Sequence, residues 1–373
     1  MSRRLSGAAA LLACAGLVTL AGCGSHPAKE AGAGPPPPTA PLSTSLVTAQ
    51  GTWAVAVMGG PDADNKFWQL FVRPAASGHW SLVTPQGVAD NGGLVAAGGG
   101  TYLVVGFRPS QNLVFSPLAT STDTGRNWTP GLLDAGLADT PGAIAVGPSG
   151  RTLALLQDGT IEAAPTAGSA AAGRWAPLTT FTALAASAPG RSCGLEGVTA
   201  VSFGPNRDPM AAGSCVRPGV AGVFTDAGGT WRAAGLTLPG NGRVRVLGLT
   251  ALAGGNEALL ADGNSLFAAW WNGTRWTVSA PAAGGALRAL GFGPGGSAWL
   301  LSGGRAEAIG GPGSSWRALP PVPAGTQVLV PGTGGSYDAL AVAGSRLTVW
   351  RLVQGSWAKV QQVTVPVQYG SSG

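Results

Sequence analysis

Short apolar runs alternate with glycine-rich turns along the chain, from Leu46 to about Val367. Residues 143–146 are followed by Gly-Pro-Ser-Gly and then by residues 152–156, and the same arrangement joins residues 289–292 to residues 298–301. Pairs of Asp-Gly or Gly-Gly separate further apolar runs, at 158–159, 262–263 and 303–304. Such pairs favour the tight turns of hairpins, so the pattern predicts short antiparallel β-strands.

A tryptophan preceded by small residues recurs seven times along the chain. The seven are Trp80, Trp128, Trp175, Trp231, Trp276, Trp316 and Trp357, with successive separations of 48, 47, 56, 45, 40 and 41 residues. This period is typical of one four-stranded blade of a β-propeller. Each unit therefore consists of strands A, B, C and D joined by turns, with the tryptophan opening strand D.

Seven such units predict an all-β fold, a seven-bladed β-propeller of four-stranded antiparallel blades over residues 45–373. A closed ring of blades leaves few strand edges exposed. The alternatives are a β-sandwich and a ring of six or eight blades. One tryptophan per unit speaks against the sandwich, whereas the less regular first and last units leave the blade count open.

Two of the turns before a tryptophan share a more specific sequence. They are Ser121-Thr122-Asp123-Thr124-Gly125-Arg126-Asn127-Trp128 and Phe224-Thr225-Asp226-Ala227-Gly228-Gly229-Thr230-Trp231. The pattern resembles the Asp-box of bacterial-neuraminidase-type (BNR) repeats, which occur in sialidases and sortilin-type receptors. An aspartate accepts N–H bonds from residues that follow it, and glycine supplies the positive φ of a tight turn. We therefore expect structural roles for Ser121, Asp123, Gly125, Trp128, Asp226, Gly228 and Trp231.

The resemblance implies either a binding propeller or a glycoside hydrolase of the sialidase type. Sialidases grip a carboxylate with three arginines, the first in a Phe/Tyr-Arg-Ile-Pro motif on an inner strand, and they use a Tyr–Glu nucleophile pair. The nearest match, Phe-Val-Arg-Pro at 71–74, falls at the end of a predicted C strand. The repeat also places no tyrosine and glutamate on neighbouring inner strands. We therefore assign no catalytic residue, and a divergent exo-sialidase remains the alternative function.

Residues 1–22 have the pattern of a lipoprotein signal peptide. Arg3 and Arg4 precede an apolar stretch at 8–20 that is too short for a permanent membrane span. Residues 20–23, Leu-Ala-Gly-Cys, resemble the bacterial lipoprotein box, which implies acylation of Cys23 and attachment to the extracytoplasmic side of the cell membrane. An ordinary signal peptide that contains Cys23 is the alternative. Residues 23–44, rich in glycine and proline, predict a flexible tether.

The two cysteines of the mature domain are predicted to form a disulfide. Cys193 lies in a D-to-A loop and Cys215 in a B-to-C loop, and both kinds of loop emerge on the same face of a propeller. An exported domain favours the oxidised pair, with free thiols or a shared metal as the alternatives. Because His26 and His79 are the only histidines, a zinc site is not expected.

Charge adds a weaker indication of the partner. The net charge of +6 becomes +4 once Arg3 and Arg4 are removed with the signal peptide. Several loop arginines are predicted on the same face as the two cysteines, at positions 108, 191, 217, 243 and 305. They suit an anionic partner, although solvated loop charge is the simpler interpretation. The sequence has no basic-aromatic interleaving of the kind that indicates nucleic-acid binding.

No metal or cofactor is expected. Asp62-Ala63-Asp64-Asn65 resembles the start of a calcium loop but lacks its later ligands. Together these patterns predict a membrane-anchored, extracytoplasmic propeller that acts as a binding or assembly module for a protein or glycan partner in the cell envelope.

Overall fold

The computed structural model describes residues 44–59, 66–85, 93–106, 115–134, 141–332 and 335–366. In these ranges, 28 strands form seven antiparallel sheets of four strands each, in sequence order within every sheet. This confirms the predicted seven-bladed β-propeller and excludes the sandwich and the other blade counts. The proposed leader, Cys23, the tether before Thr44, Arg108 and the Asp62–Asn65 segment lie outside the described residues.

Each blade consists of four consecutive strands of the chain. Blade 1 contains β1 (Ser45–Val47), β2 (Gly51–Gly59), β3 (Lys66–Pro74) and β4 (Ser81–Leu82), and blade 2 contains β5 (Gly93–Gly98), β6 (Thr101–Gly106), β7 (Phe115–Ser121) and β8 (Thr129–Asp134). Blade 3 contains β9 (Ala143–Val146), β10 (Thr152–Leu155), β11 (Ile161–Ala164) and β12 (Ala176–Thr179), and blade 4 contains β13 (Leu195–Phe203), β14 (Pro209–Cys215), β15 (Ala221–Asp226) and β16 (Trp231–Ala233). Blade 5 contains β17 (Val244–Leu252), β18 (Gly255–Asp262), β19 (Ser265–Trp271) and β20 (Trp276–Val278), and blade 6 contains β21 (Leu287–Phe292), β22 (Ala298–Ser302), β23 (Arg305–Ile309) and β24 (Arg317–Ala318). Blade 7 contains β25 (Thr326–Pro331), β26 (Tyr337–Ala343), β27 (Arg346–Val353) and β28 (Ser356–Thr364).

Three short helices, which the sequence pattern did not predict, lie in loops around blade 3. They are α1 (Ala167–Ala171), α2 (Phe181–Ala186) and α3 (Ala188–Cys193), and a 3₁₀ turn covers Pro294–Gly296. Each α-helix begins at a Ser or Thr whose hydroxyl accepts a backbone N–H of the first turn. Helices α2 and α3 account for the longest tryptophan separation in the repeat. Within the described ranges, no helix has the length and apolar character needed to cross a membrane.

The hydrophobic core lies in layers between neighbouring blades. Side chains of a strand point alternately to its two faces, so each B strand contributes to two layers. In β18, for example, Ala258 and Leu260 pack towards blade 4, while Leu259 and Ala261 pack towards blade 6. The same alternation around the ring leaves no blade with an independent core.

The repeat tryptophans join adjacent blades at their outer edges. Each one begins strand D, immediately precedes it or is its second residue, as the repeat predicts. The indole N–H reaches the preceding blade in five of the seven: Trp128 donates to Val83 O (2.8 Å), Trp276 to Ala234 O (3.0 Å), Trp316 to Ser279 Oγ (3.2 Å), Trp357 to Pro320 O (3.3 Å) and Trp80 to Asp338 of blade 7 (3.2 Å). Trp80 is buried and the other six are half-buried. The tryptophan therefore stabilises the ring between blades as well as its own turn.

Among the described residues, blades 7 and 1 exchange no strand where the ring closes. Two glutamines of blade 7 instead bind the backbone of blade 1. Gln327 accepts from Val57 N (2.8 Å) and donates to Val57 O (2.7 Å), and Gln361 does the same with Trp80 N (2.8 Å) and Trp80 O (2.7 Å). Asp338 of blade 7 binds Arg73 of blade 1 and accepts from Trp80 Nε1 at 3.2 Å.

The two faces of the ring differ in their connections. The upper face carries the D-to-A and B-to-C loops, and the lower face carries the A-to-B and C-to-D turns. Inner strand β1 contacts β5 and β25 and also β21 of blade 6, where Thr44 N donates to Leu290 O (3.4 Å). The inner strands of blades 6, 7 and 1 therefore lie close together.

Candidate functional site

Seven exposed arginines lie on the upper face of blades 4 to 7. They are Arg191, Arg217, Arg243, Arg245, Arg288, Arg305 and Arg346. Four of them were predicted on this face from the loop pattern, at 191, 217, 243 and 305. The other three were missed because Arg245 and Arg288 stand near the start of inner strands and Arg346 opens a C strand directly after its B-to-C turn. Knowledge that strands A and C both begin at the upper face would have been enough to include them.

Few acidic groups offset this charge on the same part of the face. Glu196 pairs with Arg243 at 3.2 Å, and Arg243 remains mostly exposed in that pair. Asp262 is half-buried against the loop at Gly240 and Gly242. Glu307 is buried and accepts the backbone N–H of Ala283 at 3.2 Å. The upper face of blades 4 to 7 thus carries a clear excess of positive charge, which attracts anions over the length of a Debye screening distance.

The part of this face above blade 4 is held rigidly. The predicted disulfide is present between Cys193 at the end of α3 and Cys215 at the end of β14, with a Cα–Cα distance of 5.4 Å. Val216 N and Arg217 N donate to Gly194 O (2.8 Å) and Cys193 O (3.1 Å). Further along the same B-to-C loop, Gly219 N donates to Gly242 O of the D-to-A loop between blades 4 and 5, at 2.9 Å.

These bonds tie three loops of the upper face together. Arg191, Arg217 and Arg243 therefore stand on a backbone whose positions are fixed before any partner binds. Preorganisation of this kind reduces the entropic cost of binding.

The inner strands do not present a sialidase arrangement in the part of the chain that the structure describes. Glu196 is their only carboxylate, Arg245 and Arg288 are their only arginines, and they carry no tyrosine. Among the same residues, no group of three His, Cys, Asp or Glu side chains is placed to hold a metal ion. Arg73, the nearest match to the sialidase arginine, ends a C strand and pairs with Asp338 at the ring closure.

The two Asp-box turns lie on the lower face, away from the arginines. Asp123 Oδ1 accepts Asn127 N at 2.9 Å and Ser121 Oγ at 2.8 Å, while Gly125 N donates to Ser121 Oγ at 3.0 Å. The bonds that Asp123 accepts lower its pKa to about 2, and the bond from the backbone N–H of Asn127 contributes most. Asp226 Oδ1 accepts Gly229 N at 2.8 Å. Both carboxylates are engaged with their own turns.

Comparison with known proteins supports the fold but does not assign a family or a function. No protein-family model matches the sequence, and a search of curated sequences finds no match. The fold is similar to that of a Lactobacillus plantarum protein, with 9% identity over 85% of this chain and 97% of the other and a TM-score of 0.52. It is also similar to a puromycin-hydrolyzing peptidase of Mycobacterium tuberculosis, with 13% identity, 91% and 57% coverage and a TM-score of 0.50. A structure of YCF48 bound to a D1 peptide matches at 16% identity, 82% and 91% coverage and a TM-score of 0.46. At these identities the likeness concerns architecture, because a propeller hosts many unrelated functions.

Proposed function

We propose that this chain is a lipid-anchored, extracytoplasmic binding module that recognises an anionic protein or glycan of the cell envelope on the upper face of blades 4 to 7. The observation that carries the proposal is the set of seven exposed arginines, which make a single ion pair with the residues that the structure describes. Arginine presents a fork of N–H donors that matches carboxylate and phosphate groups. The disulfide-fixed loops above blade 4 give part of this surface a defined shape.

The recognition surface is tested by charge reversal. The triple variant Arg217→Glu, Arg245→Glu, Arg288→Glu should lose capture of the partner when the full-length protein is incubated with an envelope extract. The matched control is Arg126→Glu, Arg232→Glu, Arg275→Glu, which makes the same change in charge with exposed arginines of the lower face. Equal capture by both variants and wild type would contradict the proposed surface.

The proposed lipid anchor is inferred from the Leu-Ala-Gly-Cys sequence at 20–23. Cys23→Ala should leave an unprocessed precursor or release the protein from the membrane fraction, as measured by fractionation and intact mass. Normal processing with wild-type membrane association would show that Cys23 is not the lipidated residue.

The hydrolase alternative is tested beside the capture experiment. A fluorogenic sialoside should release no more fluorophore with this protein than with buffer. Turnover that survives purification would replace the binding hypothesis with the sialidase one.

A further inference from the structure

Blade 3 differs from the other blades in its C-to-D connection. Ten residues separate the end of β11 from Trp175, against three to six at the same place elsewhere, and they include helix α1. The helix packs on blade 2, where a Cβ on Gly131 would lie 2.3 Å from Ala171 O. Trp175 Nε1 accordingly donates within the insertion, to Ala170 O at 3.1 Å, instead of to the preceding blade.

A cleft of about 830 Å³ opens beside this insertion, on the lower face of blade 3. Arg151 from the A-to-B turn and Arg174 from the C-to-D connection line it, together with Trp175, Pro177, Leu178 and the end of β11. The volume is in the range of pockets that bind drug-sized ligands. The cleft is independent of the upper face and therefore of the surface assigned to the proposed function.

The charge of the cleft favours an anion. Among the described residues, its lining contains two guanidinium groups and no carboxylate. Glu162, the acidic residue nearest in sequence, lies opposite Pro177 in the ladder but does not line the cleft. Arg174 Nη2 makes one long bond to Ser169 Oγ (3.3 Å), and a guanidinium has five N–H donors in all.

The backbone of the cleft favours a peptide. Lining residues 176–178 belong to β12, which is the last strand of its sheet, with β11 on one side and no further strand among the described residues on the other. An open strand edge pairs with an extended peptide through main-chain hydrogen bonds, and here the other residues of β12 supply the donors because Pro177 has no N–H. The half-buried Trp175 and Leu178 provide an apolar surface for alternate side chains of that peptide.

We propose that this cleft binds an extended acidic peptide segment, which adds to the edge of β12 and places its carboxylates on Arg151 and Arg174. The apolar side chains of the segment contact Trp175 and Leu178. A glycan offers no main-chain groups to the strand edge, so a protein partner fits this site better than an acidic sugar does.

The test starts with a random heptapeptide phage library panned on the full-length protein. Wild type should enrich peptides in which Asp or Glu alternates with apolar residues. The double variant Arg151→Gln, Arg174→Gln should lose that enrichment. Arg275→Gln is the matched control, because Arg275 precedes Trp276 as Arg174 precedes Trp175 but does not line the cleft.

Titration of the most enriched peptide measures how far each variant weakens its binding. Each single glutamine variant should weaken binding by about tenfold, whereas Arg275→Gln and the upper-face triple variant should bind as wild type does. Binding should also slow amide hydrogen exchange within Ala176–Thr179. Absence of an acidic consensus, binding that survives the double variant, or binding without slower exchange in β12 would overturn the proposal. Arginine-dependent binding of trigalacturonate without peptide binding would instead assign the cleft to an acidic glycan.

Discussion

Glu257 on β18 is a glutamate enclosed by the core of the ring. Its side chain is fully buried, and neither carboxyl oxygen accepts a hydrogen bond of normal geometry. Trp270 lies opposite Glu257 on the neighbouring strand and directs its ring N–H to Gly296 O at 2.8 Å. Its effect on the carboxyl therefore offsets only part of the rise in pKa that burial causes. Burial dominates and raises the pKa of Glu257 from 4.5 to about 8. The carboxyl is therefore held in its protonated form at neutral pH.

This burial predicts a stability that falls as the pH rises. Between pH 4.5 and 8 the unfolded chain releases the Glu257 proton and the folded chain keeps it, so unfolding becomes easier throughout that window. Glu257→Gln removes the effect and should stabilise the protein by about 3 kcal/mol at pH 7, since each pKa unit corresponds to ~1.4 kcal/mol. Urea unfolding of both proteins at pH 4.5 and pH 7 measures the difference. A gain that is the same at both pH values would contradict the assignment.

Trp128 shows what an Asp-box contributes to stability. Its ring donates to Val83 O of blade 1 and meets the ring of Trp53 edge-on, with centroids 6.1 Å apart. Trp128→Ala should cost about 2–4 kcal/mol, somewhat less than a fully buried tryptophan, because the ring is half-buried. Asp123→Ala loses only bonds within an exposed turn, so its melting temperature should fall less.

Thermal unfolding of the two variants measures these costs, and partner capture by the folded protein serves as the control. Capture should be unchanged in both. Normal stability combined with lost capture in Trp128→Ala would move the recognition surface to the lower face.

At the scale of elements, the disulfide joins helix α3 to strand β14 across 22 residues of sequence. Cross-linking a loop of this length restricts the unfolded chain and stabilises the folded one by about 3 kcal/mol. The double variant Cys193→Ala, Cys215→Ala should lose that amount in denaturant unfolding. The loss should disappear when both proteins are compared under reducing conditions. Two free thiols in wild type, found by mass spectrometry after non-reducing alkylation, would be incompatible with this prediction.

At the scale of the whole molecule, the ring depends on a seam of side chains. Asp338 is buried and binds both Arg73 of blade 1 and Arg351 of its own blade, with Arg351 Nε at 2.8 Å. This bond to Asp338 raises the pKa of Arg351 further above its ordinary value. Removing one member of a buried ion pair is costly because the other charge loses its compensation.

Asp338→Asn should therefore destabilise the protein by about 3 kcal/mol. Because the two arginines are partly exposed, the loss should not exceed that range. Hydrogen exchange should accelerate in blades 1 and 7 before the other blades. Asp226→Asn is the control, since this buried aspartate accepts Gly229 N within its own turn. A loss no larger than that of the control would show that the seam is held by the glutamines and the apolar core instead.

The sequence by itself determined the four-stranded blades and the place of each tryptophan, and it favoured seven blades over six or eight. These features depend on hydrophobic alternation and turn chemistry, which act over a few residues and repeat with a fixed period. It also determined the disulfide, because the repeat assigned Cys193 and Cys215 to loops on one face. The loop arginines at 191, 217, 243 and 305 followed from the same assignment.

Only the tertiary structure decided how the ring closes and where its unusual sites lie. Gln327, Gln361 and Asp338 stand in ordinary strands, and their partners in blade 1 are 258 to 281 residues away in the chain. Glu257 looks like any strand glutamate until blade 6 covers it. The cleft of blade 3 lies beside an insertion whose helix α1 packs on blade 2, a contact between distant parts of the chain. Contacts between distant residues depend on the three-dimensional position of every blade, and that information is not present in any local stretch of the sequence.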